Sequence, residues 1–95
     1  MRTQTLTAQS RRMLEYALAL PNIDIPQPEL NKAAAGDGVF VNSFTKRVSE
    51  VRAEMQRRGG DFILSRDEWH NKVRNTWYKL IPPIREELFD TQTTK

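Results

Sequence analysis

The chain contains no cysteine and only one histidine. A disulfide framework and a cysteine-ligated zinc site are therefore excluded, and a lone imidazole is too little for an ordinary histidine metal centre. Nothing points to an oxidising compartment, so a bacterial-type reducing cytoplasm is the expected location. The first residues, MRTQTLTAQSRR, lack the apolar stretch of a secretory leader, and none is expected. Apolar runs are only a few residues long, so no membrane partner is expected. The GDGVF stretch at 36–40 lacks the lysine and the spacing of a phosphate-binding loop. No cofactor is expected. Internal repeats, low-complexity tracts and interdomain linkers are also missing.

What is present suits one small domain. With 95 residues, 38% of them hydrophobic, the chain can fill a single core. A domain of this size keeps a small net stability, so most apolar residues must be structural. Little is left to wall a buried catalytic cavity. Net charge is +3, unevenly spread. Residues 1–40 carry four basic and four acidic groups, whereas residues 41–80 carry nine basic and five acidic. The positive excess therefore lies mid-chain. A basic patch favours polyanions, of which nucleic acid is the commonest, although a solvated basic surface has the same composition.

Periodicity places the elements. Over 7–20, Met13, Leu14, Ala17, Leu18 and Leu20 form one helical stripe, with Thr7 as N-cap and Pro21 as terminator. Ile23 and Ile25 flank Asp24 and predict a very short strand. PELNKAAA, 28–35, predicts a short second helix with a proline in its first turn. Val41, Phe44, Val48, Val51 and Met55 have the clearest helical spacing in the chain, and they predict a third helix capped by Asn42 and closed at Gly59. DFILSR and VRNTWYKLI are rich in strand formers and predict a β-hairpin, with the polar DEWHNK as the excursion between them. Pro82 and Pro83 cannot continue the ladder. The expected order is helix, short strand, helix, helix, hairpin: an α+β, mainly α class.

The stretch NSFTKRVSEVRAEMQRRGGDFILSRDEWHNKVRNTWYKL, 42–80, resembles the winged helix-turn-helix domain of small bacterial and bacteriophage regulators. In that family the third helix reads roughly arginine, apolar, serine, glutamate, apolar, arginine, and a strand then opens a basic wing. The match here is Arg47, Val48, Ser49, Glu50, Val51 and Arg52, followed by Phe62, Ile63 and Leu64, with Tyr78 and Leu80 closing the hairpin. RRMLEYAL and PELNKAA supply the first two helices. The resemblance covers 7–81 and implies three helices plus a C-terminal hairpin wing. Residues 1–6 would then be a flexible N-terminus. Residues 82–95 would be an extension with a short helix and a frayed tail. GDGVFVN is longer than the tightest helix-turn-helix turns, and the proline pair lies outside the core pattern.

The resemblance implies double-stranded DNA as partner. At 100° per residue, Asn42, Lys46, Ser49, Glu50, Ala53 and Arg57 lie opposite the apolar stripe, with Ser43 and Arg47 on the flanks. A helix fits the major groove; asparagine suits adenine, and lysine or arginine suits guanine. Asn42, Ser43, Lys46 and Arg47 stand where such a helix meets base edges. Glu50 would accept from cytosine or orient a neighbouring arginine. Arg66, Lys72 and Arg74 of the wing, with Arg57 and Arg58 at the helix end, would contact phosphates. Arg57 and Arg58 equally suit the negative end of the helix dipole.

The aromatics and the histidine yield less. Trp69 is either a wing tip that meets DNA or a side chain folded back on the core or a partner; we expect the second. Trp77, with IPPIREELF, is a candidate homodimer contact. Ser65, Asp67 and His70 do not make a catalytic triad, because the histidine falls on a hairpin without a shielded site. The expectation is a DNA-binding regulator or an excisionase-like architectural factor, not an enzyme. The alternative is a winged-helix protein-interaction module, such as a phage protein that blocks a host factor.

Overall fold

The computed structural model describes residues 6–36, Gly38, Val41 and 43–83. Helix α1 spans Ala8–Leu18, strand β1 Ile25–Pro26, helix α2 Gln27–Ala35 and helix α3 Phe44–Arg57. Strands β2, Asp61–His70, and β3, Val73–Ile81, follow. The sheet is antiparallel with order β1-β3-β2, so the hairpin gains a third, short strand along β3. Three helices on one three-stranded antiparallel sheet is α+β and compatible with a winged-helix-like arrangement.

Local chemistry sets most boundaries. Thr7 is the N-cap of α1, its hydroxyl accepting from the Ser10 amide at 3.1 Å. Pro28 sits in the first turn of α2, where its missing N–H harms nothing. The last carbonyls of α2 receive the Arg12 guanidinium, whose Nε donates to Ala34 at 2.8 Å. Helix α3 closes with paired backbone bonds: the Gly59 amide donates to Gln56, and the Gly60 amide donates to Met55. Gly59 has φ +94°, the left-handed conformation this closure requires.

Three expectations need correction. The short strand lies at Ile25–Pro26, not around Asp24, because only there does the chain run beside Tyr78 and Trp77. The N-cap of α3 is Ser43, not Asn42; Ser43 has φ +58° and makes no side-chain capping bond. Asn42 lies outside the described residues. DEWHNK is not an excursion either. Asp67 to His70 continue β2, and the turn is Asn71-Lys72 alone, with φ +51° and +65°. Positive φ at both central residues is the two-residue turn whose twist matches the flanking strands. The wing is therefore longer and tighter than its composition indicates.

One irregularity shapes the wing. Leu64 pairs with Tyr78 but Arg66 pairs with Trp77, leaving Ser65 as an extra residue in β2. This β-bulge shifts the alternation of β2 by one. Phe62 and Leu64 share a sheet face with Leu80 and Tyr78; beyond the bulge, Asp67 and Trp69 take that face with Thr76 and Arg74.

The core lies between this face and the helices. Met13, Leu14 and Ala17 of α1, Leu30 and Ala34 of α2, and Val48, Val51 and Met55 of α3 close over Ile25, Phe62 and Leu80. The stripe of α3 thus turns inward as its spacing predicts. Tyr78 stacks on Phe62, centroids 5.8 Å apart, and meets Phe44 edge-on at 5.8 Å. This aromatic trio joins the start of α3 to the base of the wing.

Candidate nucleic-acid interface

Between the first turn of α3, the start of α2 and the wing lies an open cleft of about 820 Å³. Ser43, Phe44, Thr45 and Lys46 line one wall, Arg74, Thr76 and Tyr78 the other, and Gln27 lies at the floor, accepting from the Thr76 hydroxyl at 2.7 Å. The cleft brings together three residues expected from sequence, Ser43, Lys46 and Arg74, from two distant segments. Alternation along β3 explains Arg74: Leu80, Tyr78, Thr76 and Arg74 share one face, which runs from the core out along the wing.

Arginine and lysine behave differently on this surface. Arg47 is not on an exposed flank: it is 9% exposed and packs against α1. Its Nη1 donates to the Thr7 hydroxyl at 3.2 Å and its Nη2 to Glu50 at 3.2 Å. Glu50 in turn accepts from the Thr7 hydroxyl at 3.3 Å. The carboxylate that looks awkward on a DNA-facing helix therefore stands at the positive end of α1 and ties α3 to it. Arg57 and Arg58 both grip Glu54, at 2.5 and 2.7 Å. The Arg57 hydrogen bond leads in holding the Glu54 carboxyl below its usual range, outweighing desolvation, and Arg58 adds to it. Arg66 pairs with Glu68 at 2.6 Å and lies over the Trp77 ring at 4.4 Å. Arg74 pairs with Asp67.

Lys46 and Lys72 are exposed and have no ion-pair or hydrogen-bond partner among the described residues. Ser43, Thr45 and Ser49 are exposed hydroxyls on the same side of α3 as Lys46 or beside it. No arginine partner is expected from sequence for Glu54, Asp67 or Glu68, and Asp67 figures there only in the triad set aside. Glu54 was legible, since Arg57 and Arg58 follow it at helical spacing. Gln27, Thr45 and Thr76 carried no sequence signal that places them in a cleft.

Trp69 does not fold back. It is 70% exposed near the wing tip, and Val73 beside the turn is exposed too. Trp77 is half-buried beneath Arg66. The extension proposed as its dimer partner lies, from residue 84 on, outside the described residues. Among the described residues no helix is long and apolar enough to cross a membrane, and no cluster of three acidic, histidine or cysteine side chains is arranged to hold a metal.

The Thr7 junction yields a prediction. Thr7→Ala removes the cap of α1 and leaves Arg47 and Glu50 with one partner fewer. The expected cost is about 1–2 kcal/mol, read as a lower urea midpoint with unchanged slope. Thr7→Ser, which keeps the hydroxyl, should recover most of it.

No protein-family model, curated protein or solved structure matches this chain.

Proposed function

We propose that the protein binds double-stranded DNA, with the exposed side of α3 at the major groove and the wing along the backbone. The observation that carries this reading is the cleft itself: Lys46 from α3 and Arg74 from the wing face one open space rimmed by Ser43 and Thr45 hydroxyls. Cations held apart on two rigid elements suit a repeating polyanion better than a compact ligand. Hydroxyls at a helix start bond readily to phosphate oxygens.

Charge pairing favours backbone binding over base readout. Arginine reads guanine through its planar fork, but the arginines of α3 and the wing are already engaged, five in ion pairs and Arg52 through Nε on the Phe62 carbonyl. The cations of α3 and the wing without partners among the described residues, Lys46 and Lys72, are lysines, which act as point charges. Within the DNA-binding class this supports an architectural, excisionase-like factor over a reader of long operators.

The test is a titration of fluorescent duplex DNA at several salt concentrations. The wild type is expected to show a steep linear fall of log affinity with log salt. Lys46→Ala combined with Arg74→Ala should lose on the order of 50-fold in affinity at 0.1 M salt, with the slope shallower by about two. Absence of any salt-dependent binding sinks the proposal. A second reading, a protein-interaction module, rests on exposed Trp69 and Val73 at the wing. It predicts that Trp69→Ser abolishes a salt-insensitive association and leaves DNA titrations unchanged.

A further inference from the structure

We propose that Asp67 is an internal competitor for Arg74 and thereby sets how tightly the cleft holds DNA. The inference rests on the DNA-binding reading above and assigns a residue that this reading does not require.

The geometry is that of a fork closed on a carboxylate. Arg74 donates from Nε to Asp67 Oδ1 at 2.9 Å and from Nη2 to Oδ2 at 2.7 Å. This is the bidentate arrangement that arginine also offers to a phosphodiester. While Asp67 holds the Nε–Nη2 edge of the fork, that edge is closed to a phosphate and the local charge is offset. Lys46, across the cleft, has no such partner among the described residues. One wall of the cleft is thus charged and open, and the other is charged and masked.

The masking depends on the bulge. Asp67 stands opposite Thr76 and Trp69 stands opposite Arg74, so Asp67 and Arg74 are diagonal neighbours on one face. Were Ser65 paired in regular alternation instead of bulged out, Asp67 would fall on the far face of the sheet. The chain therefore places its only wing carboxylate of that face within reach of the cleft arginine. Glu68, next in sequence, takes the other face and pairs with Arg66 instead.

The pair is solvent-accessible, with side chains 52% and 38% exposed. Exposed pairs are held loosely in water, so the fork can change partners. DNA would displace the carboxylate, and part of its attraction would be offset in doing so. This exchange lowers affinity without altering the fold.

The experiment is a double-mutant cycle in the same DNA titration. Asp67→Asn keeps the size of the side chain and removes its charge. It should tighten binding about 5–10-fold at 0.1 M salt, because the Arg74 fork meets phosphate without first releasing Asp67, and should leave the salt slope nearly unchanged, because no phosphate contact is added. In an Arg74→Ala background the same change should have little effect. Glu68→Gln removes an equal charge from the opposite face and should give a smaller gain. Equal gains from Asp67→Asn and Glu68→Gln, or a gain that persists without Arg74, would assign the effect to net charge and overturn the proposal. If the wild type binds and Asp67→Asn is unchanged, the proposal fails while the DNA reading stands. If neither protein binds DNA, both fail.

Discussion

Phe62→Ala is expected to lower the unfolding free energy by about 3–5 kcal/mol, the cost typical of truncating a buried phenylalanine. Phe62 is fully buried and is the largest of the wholly enclosed side chains. It is the second residue of β2, pairs with Leu80 across the sheet and supports Tyr78 by stacking. Tyr78 then meets Phe44 in the first turn of α3. The loss removes transfer energy and leaves a cavity beneath the joint between α3 and the wing. A domain of this size holds only about 5–15 kcal/mol in total, so the variant should sit near its unfolding transition at modest urea. Urea denaturation followed by tryptophan fluorescence checks it. Phe62→Leu should cost less than half as much and should keep most DNA affinity. A Phe62→Ala protein with an unshifted midpoint would mean that the trio does not organise the cleft.

Gly60→Ala is the second large effect, and it comes from overlap rather than loss. A Cβ on Gly60 would lie 2.2 Å from the Ile81 carbonyl oxygen and 2.9 Å from the Met55 methyl. The methyl can swing aside, but the carbonyl belongs to the strand that pairs with β2 just beyond the glycine. The first rung of the hairpin, Asp61 with Ile81, would have to move. Overpacking against backbone costs about 1–3 kcal/mol and sometimes more. Gly59 provides the comparison. Its Cβ would meet only Pro83 at 3.5 Å, ordinary contact, and the penalty there is the left-handed φ of +94°. Gly59→Ala should therefore cost about 1 kcal/mol. Thermal melts of the two variants should rank Gly60→Ala as the more damaging; the reverse order would place the constraint in the helix closure instead of the hairpin start.

Local signals carried the helices and failed at the turn. Thr7, Pro28 and Gly59 act within a few residues of themselves, so their consequences are readable from spacing. Asn71-Lys72 adopts positive φ at a lysine, which sequence rules do not favour. What compensates is the pairing of long strands on either side, a term that exists only once the sheet forms. Arg47 and Glu50 show the same limit. A helical wheel places Glu50 in the exposed arc and Arg47 on its flank, but the N-terminus of α1 packs there and recruits both.

By itself the sequence determined that a valine–phenylalanine stripe of α3 must be covered and that two strand-forming runs must pair, because side-chain period and turn chemistry are properties of neighbouring residues. Tertiary structure alone decided which charges remain available. Glu50, Asp67 and Glu68 each take an arginine, and the bulging of Ser65 out of the ladder decides which face of the wing Asp67 joins. Ion pairing and strand register depend on distances between segments far apart in the chain, and those distances are fixed only when the helices close on the sheet.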